Sequence, residues 1–111
     1  DIYLVKGNVS LYDEVDLKKF KNIIGGGKIE RFKLGDLTIG ACHEPFLIDK
    51  VMERGTCDFI FYGHTHEPWI EKRGQVTVAN PGTLSGMFSK STFAVLDTET
   101  KDLELKLLEQ L

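Results

Sequence analysis

The sequence predicts a mixed α/β domain, and three observations carry that prediction. Short apolar runs rich in β-branched and aromatic residues end on Gly, Asn or His. Two segments place apolar residues at helical spacing. The last third is a succession of strand-like runs separated by Gly, Pro and Thr turns. A length of 111 residues is that of one domain, and 41% hydrophobic with 28% charged residues suits a core with a solvated surface.

In chain order, Ile2 to Val5 reads as a short buried strand closed by Lys6-Gly7-Asn8. From about Asp13 to Ile24 the pattern is weakly helical, with Leu17, Phe20, Ile23 and Ile24 on one face and Gly25-Gly26-Gly27 as the stop. Ile29 to Leu34 and Leu37 to Cys42 read as two strands joined at the Gly35-Asp36 turn. Pro45 suits a helix start, and Phe46, Leu47, Ile48, Val51 and Met52 form a helical stripe that ends at Gly55. Cys57 to Tyr62 is the next buried strand. Strands then follow at Trp69 to Lys72, Gln75 to Ala79, Ser91 to Leu96 and Leu103 to Leu108. The alternation of Leu103, Leu105 and Leu107 with charged residues predicts one solvated face there.

Composition excludes some classes. A net charge of −3 with no basic stripe argues against nucleic acid as a partner. No apolar run approaches the ~18 residues of a membrane span, and the sequence opens without a basic-then-apolar leader. The two cysteines, Cys42 and Cys57, form no Cys-x-x-Cys pair and flank apolar runs, so they read as buried free thiols in a reducing, cytoplasmic setting.

The residues that point to chemistry are Gly63-His64-Thr65-His66, two of the three histidines of the chain in one short loop after a buried strand. On an extended segment, residues i and i+2 point the same way, so both imidazoles could serve one site or one metal each. The third histidine, His43, follows the Leu37 to Cys42 strand, and Asn8 follows the first strand with an amide oxygen suited to harder divalent ions. Three successive buried strands thus end in a metal-ligand candidate, and in an α/β sheet such ends converge. Asn80-Pro81-Gly82-Thr83 closes a further strand and reads either as a β-turn or as a loop at the rim of the same site. Gly25-Gly26-Gly27-Lys28 is not a phosphate loop, because Ile29 stands at the Ser/Thr position and Asn22 at the earlier glycine. Cys42, His43 and Cys57 do not have zinc-ribbon spacing.

Gly7-Asn8, a histidine after a mid-chain strand, Gly63-His64-Thr65-His66 and Asn80-Pro81-Gly82 occur in the order seen in calcineurin-like metallophosphoesterases. The sequence resembles the small prokaryotic phosphodiesterases of that superfamily, the group that includes the phosphoesterase-like subunit of retromer. The resemblance implies a β-sandwich flanked by helices and a pair of divalent metals, among manganese, iron, nickel and zinc, at the strand ends. It implies Asn8 and His64 on one metal and His66 on the other, with His43 as a further ligand, and hydrolysis of a phosphodiester or phosphomonoester substrate.

The sequence departs from the family pattern in three places. The family's Asp-x-His and Gly-Asp motifs lie upstream of its Gly-Asn, so the expectation is residues 1–111 as the C-terminal portion of a single metallophosphoesterase domain without its N-terminal strands. Ala41 stands where the first histidine of the common His-Gly-His falls, with His43 matching the second. Ser10 replaces a frequent acid, and Val9 takes the place of a catalytic histidine found in other branches, so the metal ligands are the whole expected machinery. The alternative expectation is a phosphoesterase-like scaffold that binds a protein partner and has lost the chemistry. A homo-oligomer is compatible with either reading, and a third reading has another chain supply the missing strands, docking at an exposed edge at Ile2 to Val5.

Overall fold

A computed structural model describes residues 1–7, 19–86 and 90–111. Nine strands are described: β1 (Ile2–Leu4), β2 (Ile23–Gly25), β3 (Ile29–Leu34), β4 (Leu37–Cys42), β5 (Phe59–Phe61), β6 (Trp69–Arg73), β7 (Val76–Asn80), β8 (Thr92–Leu96) and β9 (Leu103–Leu107). A 3-10 turn at Pro45–Leu47 runs into the short helix α1 (Ile48–Glu53).

The central sheet has the order β3-β4-β5-β7-β6. Its middle strands β4, β5 and β7 run parallel, and β3 and β6 close its two edges antiparallel. The β3–β4 hairpin turns on Gly35, whose φ of 60° is cheap for a residue without Cβ. Parallel strands β4 and β5 need a crossover, and the segment containing α1 supplies it.

Both faces of this sheet are covered, as its apolar strands demand. On one face Cys42, Ile60 and Val78 pack with Ile48 and Val51 of α1. Burying each of those two helix side chains contributes about 1.5–3 kcal/mol. Gly40 lets α1 come this close, since a Cβ there would lie 2.5 Å from Val51 Cγ1. On the other face Leu37, Ile39 and Phe59 pack with Phe32, Phe61, Leu96 of β8 and Leu103 of β9. Tyr3 of β1 stacks on Phe32 of β3 with centroids 3.7 Å apart. The result is the expected β-sandwich with a helix on its outer face.

Two expectations are corrected. The helix read from Asp13 to Ile24 does not reach its end, because Ile23–Gly25 are strand β2, paired in parallel with β1. The rest of that reading, up to residue 18, lies outside the described residues. The apolar stripe of the second helix is also narrower than its spacing suggested: Leu47, Ile48 and Val51 are buried, whereas Phe46 is 75% exposed. Cys42 and Cys57 are both buried and free, as expected. No helix among the described residues is long and apolar enough to cross a membrane.

Candidate metal centre

Parallel pairing of β4 with β5 brings their carboxyl ends side by side. The pairing continues past both strands, since Gly63 N–H donates to the His43 carbonyl at 2.8 Å. His43 and His64 consequently meet edge to face, with ring centroids 5.4 Å apart. Two glycines close on the His43 ring. A Cβ at Gly7, just past β1, would lie 3.4 Å from His43 Cε1, and one at Gly63 would lie 3.4 Å from Nδ1. The ends of β1, β4 and β5 therefore converge on one imidazole, as their sequence positions suggested.

The histidine turn has an unusual backbone. His64 and His66 have φ of 72° and 62°, and among the described residues only Lys101 joins them as a non-glycine residue with positive φ. The left-handed region costs such residues about 1–2 kcal/mol each, and it persists where surrounding contacts over-determine it. This corrects the extended geometry on which the i, i+2 argument relied: the rings are aimed by a left-handed turn instead.

Asn80 supplies the determining contacts. It is fully buried at the end of β7. Its Nδ2 donates to the Thr65 hydroxyl at 2.9 Å and to the Gly63 carbonyl at 3.4 Å. Its Oδ1 accepts the Gly82 N–H at 2.9 Å. Thr65 N–H in turn donates to the Gly63 carbonyl at 2.9 Å. Gly82 has φ of 87°, and a Cβ there would collide with the Thr92 hydroxyl, which donates to the Pro81 carbonyl at 2.8 Å. Asn80-Pro81-Gly82 is thus a turn that also ties down the histidine loop.

Burial holds His43 below the ordinary imidazole value, against the raising effect of the Glu44 carboxylate and together with the neighbouring His64 and His66. That shift favours the neutral imidazole, the form that ligates metals. Glu44, beside His43, carries an acid that the sequence pattern did not single out. Asn8 lies outside the described residues, though its neighbour Gly7 sits against His43. Three imidazole donors fit a divalent transition metal in kind. Among the described residues, however, no three His, Cys, Asp or Glu side chains are grouped closely enough to hold one alone.

The model of the calcineurin-like phosphoesterase superfamily domain matches residues 1–101. The chain belongs to the calcineurin-like phosphoesterase superfamily. Within it, the chain is 35% identical over 68 residues to phosphodiesterase MJ0936 of Methanocaldococcus jannaschii, a match that covers 60% of this chain and 41% of that protein. The fold superposes on an archaeal phosphodiesterase with a TM-score of 0.81 and 27% identity, covering 96% of this chain and 68% of the other. It also resembles Vps29 from Entamoeba histolytica, solved in complex with zinc, at a TM-score of 0.59 and 22% identity over 74% of this chain and 53% of that one. The two phosphodiesterases agree with the small-phosphodiesterase resemblance of the motifs, and Vps29 shares the fold.

Proposed function

We propose that this chain contributes the C-terminal part of a metal-dependent phosphoesterase site, hydrolysing phosphodiester or phosphomonoester bonds in the cytoplasm. The observation that carries the reading is the edge-to-face meeting of His43 and His64 at the ends of parallel strands, with His64 and His66 on a left-handed turn tied down by the buried Asn80. Family membership and the phosphodiesterase relatives support it.

In this reading Asn8, His43, His64 and His66 hold a pair of divalent metals, with manganese, nickel, iron and zinc as candidates. When bound, such a pair activates water and neutralises charge on the phosphoryl oxygens. The chain's own part is to position. Gly7 and Gly63 leave room for the His43 ring, the Asn80 amide fixes the turn that presents His64 and His66, and burial favours the neutral, ligating form of His43. Holding these groups in place before substrate arrives removes a reorganisation cost from the reaction.

Hydrolysis of an aryl phosphodiester with added manganese tests the reading. Activity that disappears on chelation and in His64→Ala supports it. Activity that survives both removes the proposed role of the histidines, and inactivity with metal bound favours the scaffold.

A further inference from the structure

Beside the histidine turn lies a cavity of about 330 Å3 lined by Tyr62, Thr65, Glu67 and Trp69. Thr65 stands between His64 and His66, so this cavity adjoins the proposed phosphate site. Trp69 opens β6 directly opposite Asn80. Paired residues share a sheet face, so Trp69 lies on the face of Asn80 and Val78. Tyr62 packs against the core on that same face, and its backbone N–H donates to the Ala79 carbonyl at 3.0 Å. The indole of Trp69 is 54% exposed.

Two aromatic side chains on the walls offer π-faces to a planar group. The carboxylate of Glu67 on the rim repels a second phosphate and accepts N–H donors. A nucleobase with an exocyclic amine satisfies both walls and rim, whereas uracil offers the carboxylate one ring N–H flanked by two carbonyl oxygens. We propose that this cavity is a nucleobase subsite, selecting amine-bearing bases in nucleoside phosphate esters. The phosphate's place rests on the phosphoesterase reading, but the base contacts need no metal.

Trp69 is the only tryptophan of the chain, so its fluorescence reports on this cavity alone. The test titrates the protein with adenosine, uridine and ribose in the presence of chelator. The expected result is saturable quenching by adenosine, binding of uridine at least about fivefold weaker, and no response to ribose. Tyr62→Ala should weaken adenosine binding at least about fivefold. Because Tyr62 also packs on the core, Glu67→Gln at an exposed position is the second variant, and it should erase the preference for adenosine over uridine. No saturable adenosine binding, or a preference unchanged in Glu67→Gln, overturns the subsite. Phosphodiester hydrolysis with manganese is measured in parallel. Hydrolysis without adenosine binding overturns the subsite and leaves the phosphoesterase reading standing. Adenosine binding without hydrolysis supports the subsite and counts against that reading.

Discussion

The side-chain amide of Asn80 donates to the hydroxyl of Thr65 at 2.9 Å, tying the end of β7 to the centre of the histidine turn. Asn80 is fully buried, and the same side chain serves Gly63 and Gly82. Asn80→Ala therefore removes all three of these hydrogen bonds and takes away the acceptor of the Gly82 N–H, and we expect a loss of about 1–3 kcal/mol, read as a lower midpoint in urea. Asn80→Asp keeps the acceptor for Gly82 N–H but sets a buried carboxylate oxygen against the Gly63 carbonyl, so at neutral pH it should cost at least as much as Asn80→Ala. If Asn80→Ala is as stable as the parent, the clamp does not hold the turn.

Gly40 and Val51 make a second checkable pair. A Cβ at Gly40 would lie 2.5 Å from Val51 Cγ1 and 3.2 Å from Cys57 Sγ. Val51 is stiff at χ1 and cannot swing aside cheaply. Gly40→Ala should cost about 1–3 kcal/mol through overpacking. Val51→Ala opens space at that point, so the double variant should cost less than the two single ones added together. Strict additivity in a denaturation series would show that α1 does not press on Gly40.

The thiol of Cys42 is pushed up to about 11 by burial, with the Glu44 carboxylate adding to the effect. Only the thiolate is a good nucleophile. Native protein at pH 8 should therefore leave Cys42 unmodified by iodoacetamide, while denatured protein is alkylated there, as mass spectrometry of peptides would show. Rapid native labelling at Cys42 would contradict the packing of β4 against α1.

Asp97 caps the turn between β8 and β9. Its carboxylate lies below its ordinary 3.8 because the backbone N–H groups of Thr100 and Glu99 donate to it. A group whose folded value is depressed adds stability above its unfolded value, and that stability is lost as pH falls through the folded value. The stability advantage over Asp97→Asn should thus be constant from neutral pH down to about 5 and shrink below about 4. An advantage that grows on acidification would have the wrong sign for this turn.

Much of the fold was legible in the sequence for local reasons. The bounds of β3 and β4 coincide with their reading, because apolar residues and the Gly35-Asp36 turn mark both ends. β2 was not legible. Phe20, Ile23 and Ile24 share a helical period, but Ile23 and Ile24 are strand residues whose partners, Ile2 and Tyr3, lie far upstream. Such a parallel partner leaves no trace in local periodicity. The site divides in the same way. Gly63-His64-Thr65-His66 stands out by composition, and the convergence of strand ends follows from topology. The buried amide of Asn80 was hidden, since Asn-Pro-Gly reads first as a turn. The packing of Gly7 and Gly63 on His43 was hidden too, because a glycine chosen for closeness looks like one chosen for a bend.

The histidine turn and His43 are proposed to ligate metal. The most direct measurement is the metal content of protein purified without chelators, by elemental mass spectrometry, for the parent and for His64→Ala. The account predicts about one divalent ion or more per chain in the parent and a clear drop in the variant, with the fold retained by circular dichroism. Equal metal content in the two proteins, or none in the parent after incubation with manganese or zinc, would contradict it.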